Sequence, residues 1–354
     1  MIVIALYLLA AVCVMGAALL VARRIVQKKR QNWRETGIQT AAFVTLGGIQ
    51  QYIQIRGRDR RNPLLLVLHG GPGNPLGGVS YAWQGMLEQA YTVVHWDQRG
   101  CGNTWYRNRN AARPALEILL ADLDELVDRL CSQFDQKQVI LMGHSWGTFL
   151  GSHYAARHPE KIIAFLSVSQ MLDLRQSEEA ATREAVRLAA GAGRKGDAAR
   201  METLLEQVLA LRTMGADEAR VLLTLRQVRE RYLPPQYGTS LVWLRLLSPD
   251  VTWAEWRWMF QFQKLIDANR SLYEELLSPQ APSLPEHYEV PVIIVMGERD
   301  WTTPVPLAEA YCYRITAPEK RLITIGGAGH LPFLEQPEGF SAAVEKALQE
   351  LKTS

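Results

Sequence analysis

The sequence predicts an α/β fold: a mostly parallel sheet of eight strands with a helical insertion, preceded by one N-terminal transmembrane helix. Short apolar runs alternate with segments of helical periodicity, which is typical of parallel strands joined by crossover helices. The run Leu64–Leu68 is continuously apolar, as expected of a strand that is buried on both faces of a sheet. Residues 171–285 interrupt the alternation, because they have helical periodicity and no clear strand pattern. We therefore expect a sheet domain that carries a helical cap.

The first 22 residues predict a membrane anchor. Residues 2–22 contain no charged side chain, and a helix of that length spans about 31 Å, the thickness of the hydrocarbon core of a bilayer. A cleaved signal peptide is the alternative, but no basic residue precedes the apolar run, which exceeds the usual length of about 7–15 residues. A basic linker at residues 23–40 follows the span. The positive-inside rule therefore predicts a single-pass membrane protein whose folded domain is cytoplasmic.

The bulk composition argues against several classes of partner. The chain has 354 residues, of which 48% are hydrophobic and 21% charged, so it can bury one large core or two modest ones. Residues 23–34 carry six basic groups and no acid, which leaves residues 35–354 with a net charge of −3 (3 − 6 = −3). A faintly acidic folded part argues against nucleic acid as a partner. The cysteines have no paired spacing, which predicts neither a disulfide framework nor a zinc site. They are Cys13, Cys101, Cys131 and Cys312.

The sheet domain is predicted to comprise residues 41–170 and 286–354, on either side of the cap at 171–285. Strand patterns in it are bounded by turn residues, and the first two are joined by Gly47-Gly48, which predicts a hairpin. The predicted strands are 42–46, 49–56, 64–68, 91–96, 139–142, 161–168, 291–296 and 321–325. The predicted helices outside the cap are 114–130, 148–157, 306–314 and 337–351.

The pentapeptide Gly143-His144-Ser145-Trp146-Gly147 lies between a predicted strand and a predicted helix. A serine in this context is typical of a nucleophile elbow, a strained turn that lifts the hydroxyl clear of the sheet. Glycines on either side are a steric requirement, and the N-terminus of the helix favours developing negative charge. We therefore predict Ser145 as a nucleophile; the alternative is an ordinary Gly/Ser turn.

Asp300 and His330 each follow a predicted strand, in the chain order serine, acid, histidine that accompanies such an elbow. A serine hydroxyl needs a base to remove its proton, and the base needs an orienting group. Because the carboxyl ends of parallel strands meet at one edge of a sheet, we expect the three groups to lie together. Glu298 is a rival acid. Asp300 could instead cap a helix, and His330 could be a loop histidine bonded to backbone.

Acyl transfer also requires donors that stabilise an oxyanion. We predict one donor to be the backbone N–H of Trp146, the residue after the nucleophile. The other is expected from the loop His69–Gly73, where Gly71 is the first choice and Gly70 the second, since Pro72 has no N–H. No metal or organic cofactor is implied by this set of residues.

Five segments together resemble the proline iminopeptidase branch of the α/β-hydrolase superfamily. They are His69–Gly73, Trp96–Thr104, Gly143–Gly147, Gly297–Asp300 and Gly326–His330. The resemblance covers about residues 45–170 and 288–345 and is weak across the cap. Two features depart from the family pattern, because Thr104 stands where a serine is usual and the N-terminal span is foreign to the soluble members.

The resemblance implies the α/β-hydrolase fold and a serine hydrolase that works through an acyl-enzyme, most simply an aminopeptidase that releases proline or another small residue. The family holds the free amine of its substrate with acids of the cap. The acids to consider are Glu178, Glu179, Glu255, Glu274 and Glu275, although a solvated helix face explains most acids of this kind.

Two other functions stay open at this stage. A membrane-associated esterase, amidase or lipase fits the N-terminal span, and a non-catalytic binding module fits the fold without the chemistry. The expected partners are a small-molecule or peptide substrate and the membrane through residues 2–22. The sequence does not indicate the oligomeric state.

Overall fold

The computed structural model describes residues 2–30, 35–235 and 240–351 of the chain. Eight strands in these ranges form a single sheet, as predicted. They are β1 (Ile38–Leu46), β2 (Ile49–Gly57), β3 (Leu64–Leu68), β4 (Thr92–Asp97), β5 (Val139–His144), β6 (Ile162–Val168), β7 (Val292–Gly297) and β8 (Lys320–Ile325).

The described helices surround this sheet or precede it. They are α1 (Ile2–Arg30), α2 (Gly102–Arg107), α3 (Leu116–Phe134), α4 (Trp146–Arg157), α5 (Leu174–Gly191), α6 (Lys195–Leu209), α7 (Ala216–Arg229), α8 (Leu241–Leu247), α9 (Trp253–Met259), α10 (Phe262–Leu276), α11 (Val305–Arg314), α12 (Pro332–Glu335) and α13 (Pro337–Glu350). Most predicted boundaries agree to within two residues. The helix predicted at 114–130 is observed at Leu116–Phe134 and is followed by Asp135, whose φ is 54°. The short helix α2 was not predicted, because it lies in a glycine-containing segment without apolar periodicity.

The strands lie in the order β1-β2-β4-β3-β5-β6-β7-β8. The pairs β1–β2 and β2–β4 are antiparallel, and all later neighbours are parallel, which confirms the mostly parallel sheet. The predicted Gly-Gly turn joins β1 to β2, with φ of 52° at Gly47 and 73° at Gly48, where glycine is the residue that fits. Because the parallel strands run the same way, the loops after β3, β5, β7 and β8 leave the sheet at one edge.

Both faces of the sheet are covered, which explains the uninterrupted apolar sequence of β3. Leu64, Leu66 and Leu68 pack in one buried cluster with side chains of α3, α4 and α11. Leu65 and Val67 face the other side and pack with α13 and the short 3-10 helix at 77–82. Side chains therefore pack against the strands on both faces of the sheet, which fixes the positions from which the loops at the strand ends start.

Helices α5 to α10 lie between β6 and β7, in the predicted cap region. Ala181, Ala185, Met201 and Leu225 belong to a buried cluster of their own, while Leu272 of α10 packs into the core of the sheet domain. The domain boundaries proposed from the sequence stay a prediction. Parts of the predicted linker, cap and C-terminal segment lie outside the described residues, at 31–34, 236–239 and 352–354.

Helix α1 contains the predicted span and continues through Arg30, into the region predicted as a linker. Its segment Leu9–Lys28 has a mean hydropathy of 2.0 and is long and apolar enough to cross a membrane, although an N-terminal signal sequence passes the same test. The helix contacts α8 of the cap, and Arg23 Nε donates to the carbonyl oxygen of Ser248 at 2.8 Å. The last part of the predicted linker is strand, because β1 begins at Ile38.

Candidate active site

Ser145 stands between β5 and α4 with φ of 52° and ψ of −120°, a conformation that residues with a side chain rarely adopt. The backbone there is crowded. A Cβ atom on Gly147 would lie 2.1 Å from the carbonyl oxygen of Leu68, and one on Gly143 would lie 2.4 Å from that of Gly147. Ser145 N–H donates to Val168 O at 3.0 Å, which ties the strained residue to β6. The geometry is that of the predicted elbow.

Asp300 and His330 meet at the ends of β7 and β8, and both are buried. His330 Nδ1 lies 2.9 Å from Asp300 Oδ2 and 3.1 Å from Oδ1. The backbone N–H groups of Thr302 and Thr303 donate to Oδ1 at 2.9 Å each, and the Thr303 hydroxyl donates to Oδ2 at 2.8 Å. Glu298, the rival acid, is exposed and accepts a backbone N–H of the loop after β8 at 2.7 Å. The structure therefore brings Asp300, and not Glu298, to the histidine.

The Asp300 carboxylate stays ionised although it is buried. Burial alone would raise the pKa of this carboxyl, but the charge and hydrogen bond of His330 and the donors of Thr303 outweigh burial and hold the pKa of Asp300 below its ordinary value. An ionised carboxylate against Nδ1 favours the tautomer that carries its proton on Nδ1. The Nε2 atom of His330 is then the acceptor.

Ser145 and His330 line the same cavity, which has a volume of about 340 Å³. Gly70 and Gly71 line it as well, and a Cβ atom on Gly70 would lie 3.0 Å from the Cβ of Ser145. Trp146 is the first residue of α4, so its N–H has no acceptor within the helix. Within the described ranges, neither this N–H nor that of Gly71 donates to another protein group. Of the two predicted donors, Gly71 lines the cavity and Trp146 directly follows Ser145 in the chain.

Gln98 holds the glycine loop against the elbow. Its backbone N–H donates to His69 Nε2 at 3.2 Å, and its side-chain amide donates to His69 O at 3.2 Å. The same side chain accepts from Trp146 Nε1 at 3.1 Å. Burial lowers the pKa of His69 to about 4, so the ring is neutral near pH 7 and can accept. Thr104, the departure from the family pattern, donates its hydroxyl to Asp97 O at 2.6 Å.

Among the five cap acids considered, Glu255 is the one that lines the cavity in the described part of the chain. Its Oε1 accepts the N–H of Gly78 at 3.1 Å, and its Oε2 accepts that of Thr252 at 2.9 Å. The other four carboxylates are engaged elsewhere: Glu178 with Arg226 and Arg229, Glu179 with Arg183, Glu274 with Thr213 and Glu275 with the N–H of Leu116.

Glu255 belongs to a buried charged cluster with Asp97 and Arg245. Hydrogen bonds connect the two acids: Asn103 N–H donates to Asp97 Oδ2 at 2.8 Å, and Thr252 Oγ1 donates to Asn103 Oδ1 at 2.7 Å. Thr252 N–H, which donates to Glu255, completes the connection. The sequence does not predict this cluster. Arg245 lies in an apolar helix that carries no motif, and Asp97 belongs to the segment Trp96–Thr104, which indicates a family resemblance but no charged cluster.

The cluster is one positive charge short. Burial raises the pKa of Asp97, and the charge of Glu255 raises it further; burial also raises the pKa of Glu255. Burial lowers the pKa of Arg245, while the two acids oppose that shift. Two buried carboxyls thus lie near one guanidinium, which itself donates to Pro75 O at 3.2 Å, and burial favours the protonated form of both acids.

The remaining cap wall of the cavity is mainly apolar. Its side chains include Leu241, Trp258, Met259, Phe262, Leu265 and Ile266. In the ranges that the structure describes, no three His, Cys, Asp or Glu side chains converge in a way that could hold a metal ion. The site is therefore a polar edge of the sheet facing a mainly apolar cap, whose charged lining residues in the described part of the chain are Glu255, Arg226 and Arg245.

The chain is similar to known hydrolases along most of its length. The chain is 26% identical over 306 residues to the probable aminopeptidase YbaC of Bacillus subtilis (strain 168), which covers 86% of this chain and 94% of that protein. It is 24% identical over 313 residues to the proline iminopeptidase of Lactobacillus delbrueckii subsp. bulgaricus, covering 84% of this chain and 93% of that protein. Epoxide hydrolases are similar over shorter stretches.

Among solved structures, a membrane phospholipase A described as a bacterial virulence factor has a TM-score of 0.56 at 18% identity, covering 99% of each chain. At that identity the likeness shows the shared fold alone. The Alpha/beta hydrolase family matches residues 65–343, from β3 to α13. The family resemblance predicted from the sequence is thereby confirmed, and the chain belongs to the α/β-hydrolase family.

Proposed function

We propose that this protein is a serine hydrolase, and specifically an aminopeptidase that removes proline or another small residue from the N-terminus of a peptide. One observation carries the proposal: Ser145, on its strained turn, shares a cavity with His330, whose Nδ1 contacts the buried Asp300. Two relatives that align along most of the chain are named as aminopeptidases, which supports the substrate class.

In the first half of the proposed reaction, Ser145 Oγ attacks the carbonyl carbon of the scissile bond while His330 Nε2 takes the hydroxyl proton. Negative charge then develops on the carbonyl oxygen. The N–H groups of Gly71 and Trp146 stabilise it, and the N-terminus of α4 adds its dipole. Asp300 keeps the proton on Nδ1 and stabilises the imidazolium that forms.

In the second half, the imidazolium gives its proton to the leaving amine as the C–N bond breaks, which leaves an acyl-enzyme on Ser145. Water then attacks the ester carbonyl while His330 takes one of its protons. The Ser145–acyl bond breaks, the serine oxygen regains a proton from His330, and the carboxylic acid product departs. The reaction needs only water as a co-reactant.

We infer that Glu255 holds the free amine of the substrate. The cluster of Glu255, Asp97 and Arg245 lacks one positive charge, and a substrate ammonium at the cavity wall would supply it in place of the retained proton. An acylated amine carries no charge and would leave the acid buried without a partner. Dependence on a free substrate amine would therefore distinguish an exopeptidase from a general amidase.

A second function, a membrane-associated esterase, amidase or lipase, is favoured by the apolar cap wall beside helix α1. Such an enzyme would use the same triad on an acyl chain that lies along the apolar side chains. Its signature would be a preference for esters of medium-length acids and indifference to a free amine.

We also propose that α1 is retained as an anchor and that the domain lies in the cytoplasm, as the basic residues after the apolar stretch favour. A tag after Ser354 should then be protected from protease in intact cells. Digestion of the tag from outside would contradict the orientation, and a mature N-terminus near residue 20 would show a cleaved signal.

The deciding experiment compares prolyl and alanyl aryl amides, each with a free and an acetylated amine, with short-chain and medium-chain acyl esters. The full-length protein in detergent should also react with a fluorophosphonate probe at Ser145. Strong preference for free amines would support the aminopeptidase. Equal turnover of free and acetylated amides, with esters preferred, would favour the membrane esterase.

A further inference from the structure

The cap exposes large apolar side chains on the surface formed by Val242, Trp243 and Trp253, hereafter the α8–α9 surface. Trp243 and Trp253 are 65% and 74% exposed, and Val242 is 46% exposed. Trp243 on α8 and Trp253 on α9 lie on either side of the turn at 248–252, which joins the two helices. Clusters of exposed tryptophan are uncommon on a surface that faces only water, and they indicate an interaction site.

Helix α1 meets the cap at this turn. Arg23 Nε donates to Ser248 O at 2.8 Å, and Arg23 is the first charged residue after the uncharged stretch that ends at Ala22. In a membrane-spanning helix, the first charged residue beyond the apolar stretch lies at the level of the lipid headgroups. The contact therefore places the turn, with a tryptophan on each side, at that same level.

We propose that the α8–α9 surface lies in the headgroup region of the bilayer that holds α1. The inference rests on the part of the proposed function that retains α1 as an anchor. Tryptophan is the side chain that fits this region best, because its ring is apolar while its indole N–H can bond to headgroups or water. Helix α1 contacts α8, which bears Val242 and Trp243, so one bilayer can contact both α1 and this surface.

This placement has a consequence for the substrate. Helices α8 and α9 also line the catalytic cavity, through Leu241 on the first and Trp258 and Met259 on the second. The cap wall of the cavity thus lies at the membrane surface, with its outer side in the headgroups. Substrates that partition into the interface, such as peptides with apolar residues after the N-terminus, would be concentrated beside the cavity.

The test is depth-dependent quenching in vesicles of zwitterionic phospholipid that contain the full-length protein. A fluorophore is attached at Trp243→Cys or Trp253→Cys in a chain whose Cys13, Cys131 and Cys312 are replaced by alanine. Lipids that carry a nitroxide at the headgroup or at mid-chain serve as quenchers. A separate variant keeps Cys13 and lacks Cys131 and Cys312, and Cys13, which is exposed within the candidate span, carries the reference label for the anchor.

Tyr313→Cys is the matched control, because Tyr313 is 87% exposed and lies at the opposite edge of the sheet from the cap. Its carbonyl oxygen accepts from Lys320 Nζ at 2.9 Å, and Lys320 begins β8, whose other end leads to His330. Labels at 243 and 253 should lose most of their fluorescence to the headgroup nitroxide and less to the mid-chain one. The label at 313 should keep its fluorescence with both.

Each other pattern overturns the proposal in an identifiable way. If Cys13 is quenched while positions 243 and 253 are not, the surface faces water although α1 is inserted. If positions 243 and 253 are shielded from aqueous iodide but not quenched by lipid, a protein covers them. If Cys13 is unquenched, the anchor fails as well. Turnover of a soluble prolyl aryl amide by the same variants reports separately on the hydrolase, and quenching without turnover would contradict only the proposed reaction.

Discussion

The two walls of the cavity are built differently. On the sheet side, Ser145 and His330 extend from strand ends, and Asp300 is fixed behind them by three donors from Thr302 and Thr303 in addition to the histidine. On the cap side, helices contribute mostly apolar side chains and one buried acid, Glu255. The sheet wall carries groups suited to a reaction, whereas the cap wall carries groups suited to selecting a substrate.

The difference originates in how each wall is positioned. Strand β7 pairs with β8 in a fixed register, with Gly297 opposite Ile325, so the loops that bear Asp300 and His330 start side by side. The cap helices have no such ladder, and side-chain packing and single hydrogen bonds, such as that from Trp258 Nε1 to Gly73 O at 2.7 Å, set their positions. We therefore expect substitutions on the sheet wall to affect turnover of every substrate, and those on the cap wall to affect the choice among substrates.

The largest expected effect is that of Ser145→Ala. Loss of the nucleophile should lower kcat by on the order of 10⁶-fold, with residual activity from the oxyanion donors, and should abolish fluorophosphonate labelling. The control is Ser177→Ala, which changes another serine of the cavity whose hydroxyl donates to Asp173 O at 2.8 Å. Turnover that survives in the first variant and disappears in the second would show that Ser145 is not the nucleophile.

Asp300→Asn should have the next largest effect. An amide in place of the carboxylate can donate to Nδ1 and favour the wrong tautomer of His330, and kcat should fall about 10⁴-fold for every substrate. Glu298→Gln is the matched control, because Glu298 lies on the same loop but bonds to an exposed backbone N–H. Steady-state kinetics of both variants decide the point, and a larger loss in the Glu298 variant would reverse the assignment of the acid.

The same contrast explains what the sequence can and cannot predict. The strands, the elbow and the meeting of Asp300 with His330 follow from local patterns, because apolar runs, glycine spacing and strand ends are short-range features. The cluster of Asp97, Arg245 and Glu255 does not, since its members come from a strand end and two cap helices that only tertiary packing brings together. Three of the cap acids that do not line the cavity, Glu178, Glu274 and Glu275, have partners that are distant in sequence and so could not be predicted either.

Glu255→Gln should change selectivity more than it changes chemistry. A glutamine has a single side-chain oxygen, which can accept from the N–H of Gly78 or from that of Thr252 but not from both, and it cannot pair with an ammonium. Loss of such a pair costs on the order of 2–5 kcal/mol, so kcat/KM for free-amine substrates should fall by roughly 30-fold to several thousand-fold. Acetylated amides should be almost unaffected.

Glu179→Gln provides the control for that change, because Glu179 pairs with Arg183 on the exposed face of α5. It should leave both substrate classes unchanged, since exposed ion pairs contribute little. Equal losses for free and acetylated amides in the Glu255 variant would indicate a structural role in capping α9 and would remove the basis for amine recognition.

The smallest expected effect is on stability and follows from the missing positive charge of the cluster. Because the folded-state pKa of Asp97 lies above its ordinary value, the folded protein binds more protons than the unfolded chain between the two pKa values. The contribution of Asp97 to the free energy of unfolding should therefore fall as pH rises through this range, by up to about 1.4 kcal/mol per pH unit. Burial lowers the pKa values of His69, His144 and His153, so these groups contribute a rise up to about pH 6.5, and the decline due to Asp97 dominates above that pH. Asp300 has the opposite sign, but its contribution is complete above its ordinary pKa and does not offset the decline at pH 5–8.

Asp97→Asn should flatten that decline. The replacement is conservative, because the backbone N–H and the side-chain amide of Asn103 both donate to a single oxygen, Oδ2, which an asparagine can also provide. Denaturant titrations at pH 5, 6, 7 and 8 measure the slope, and prolinamide added to the wild type should also reduce it if its ammonium supplies the missing charge. Identical slopes in the variant and the wild type would mean that Asp97 holds no extra proton. In that case the selectivity of the cap wall would have to come from shape alone.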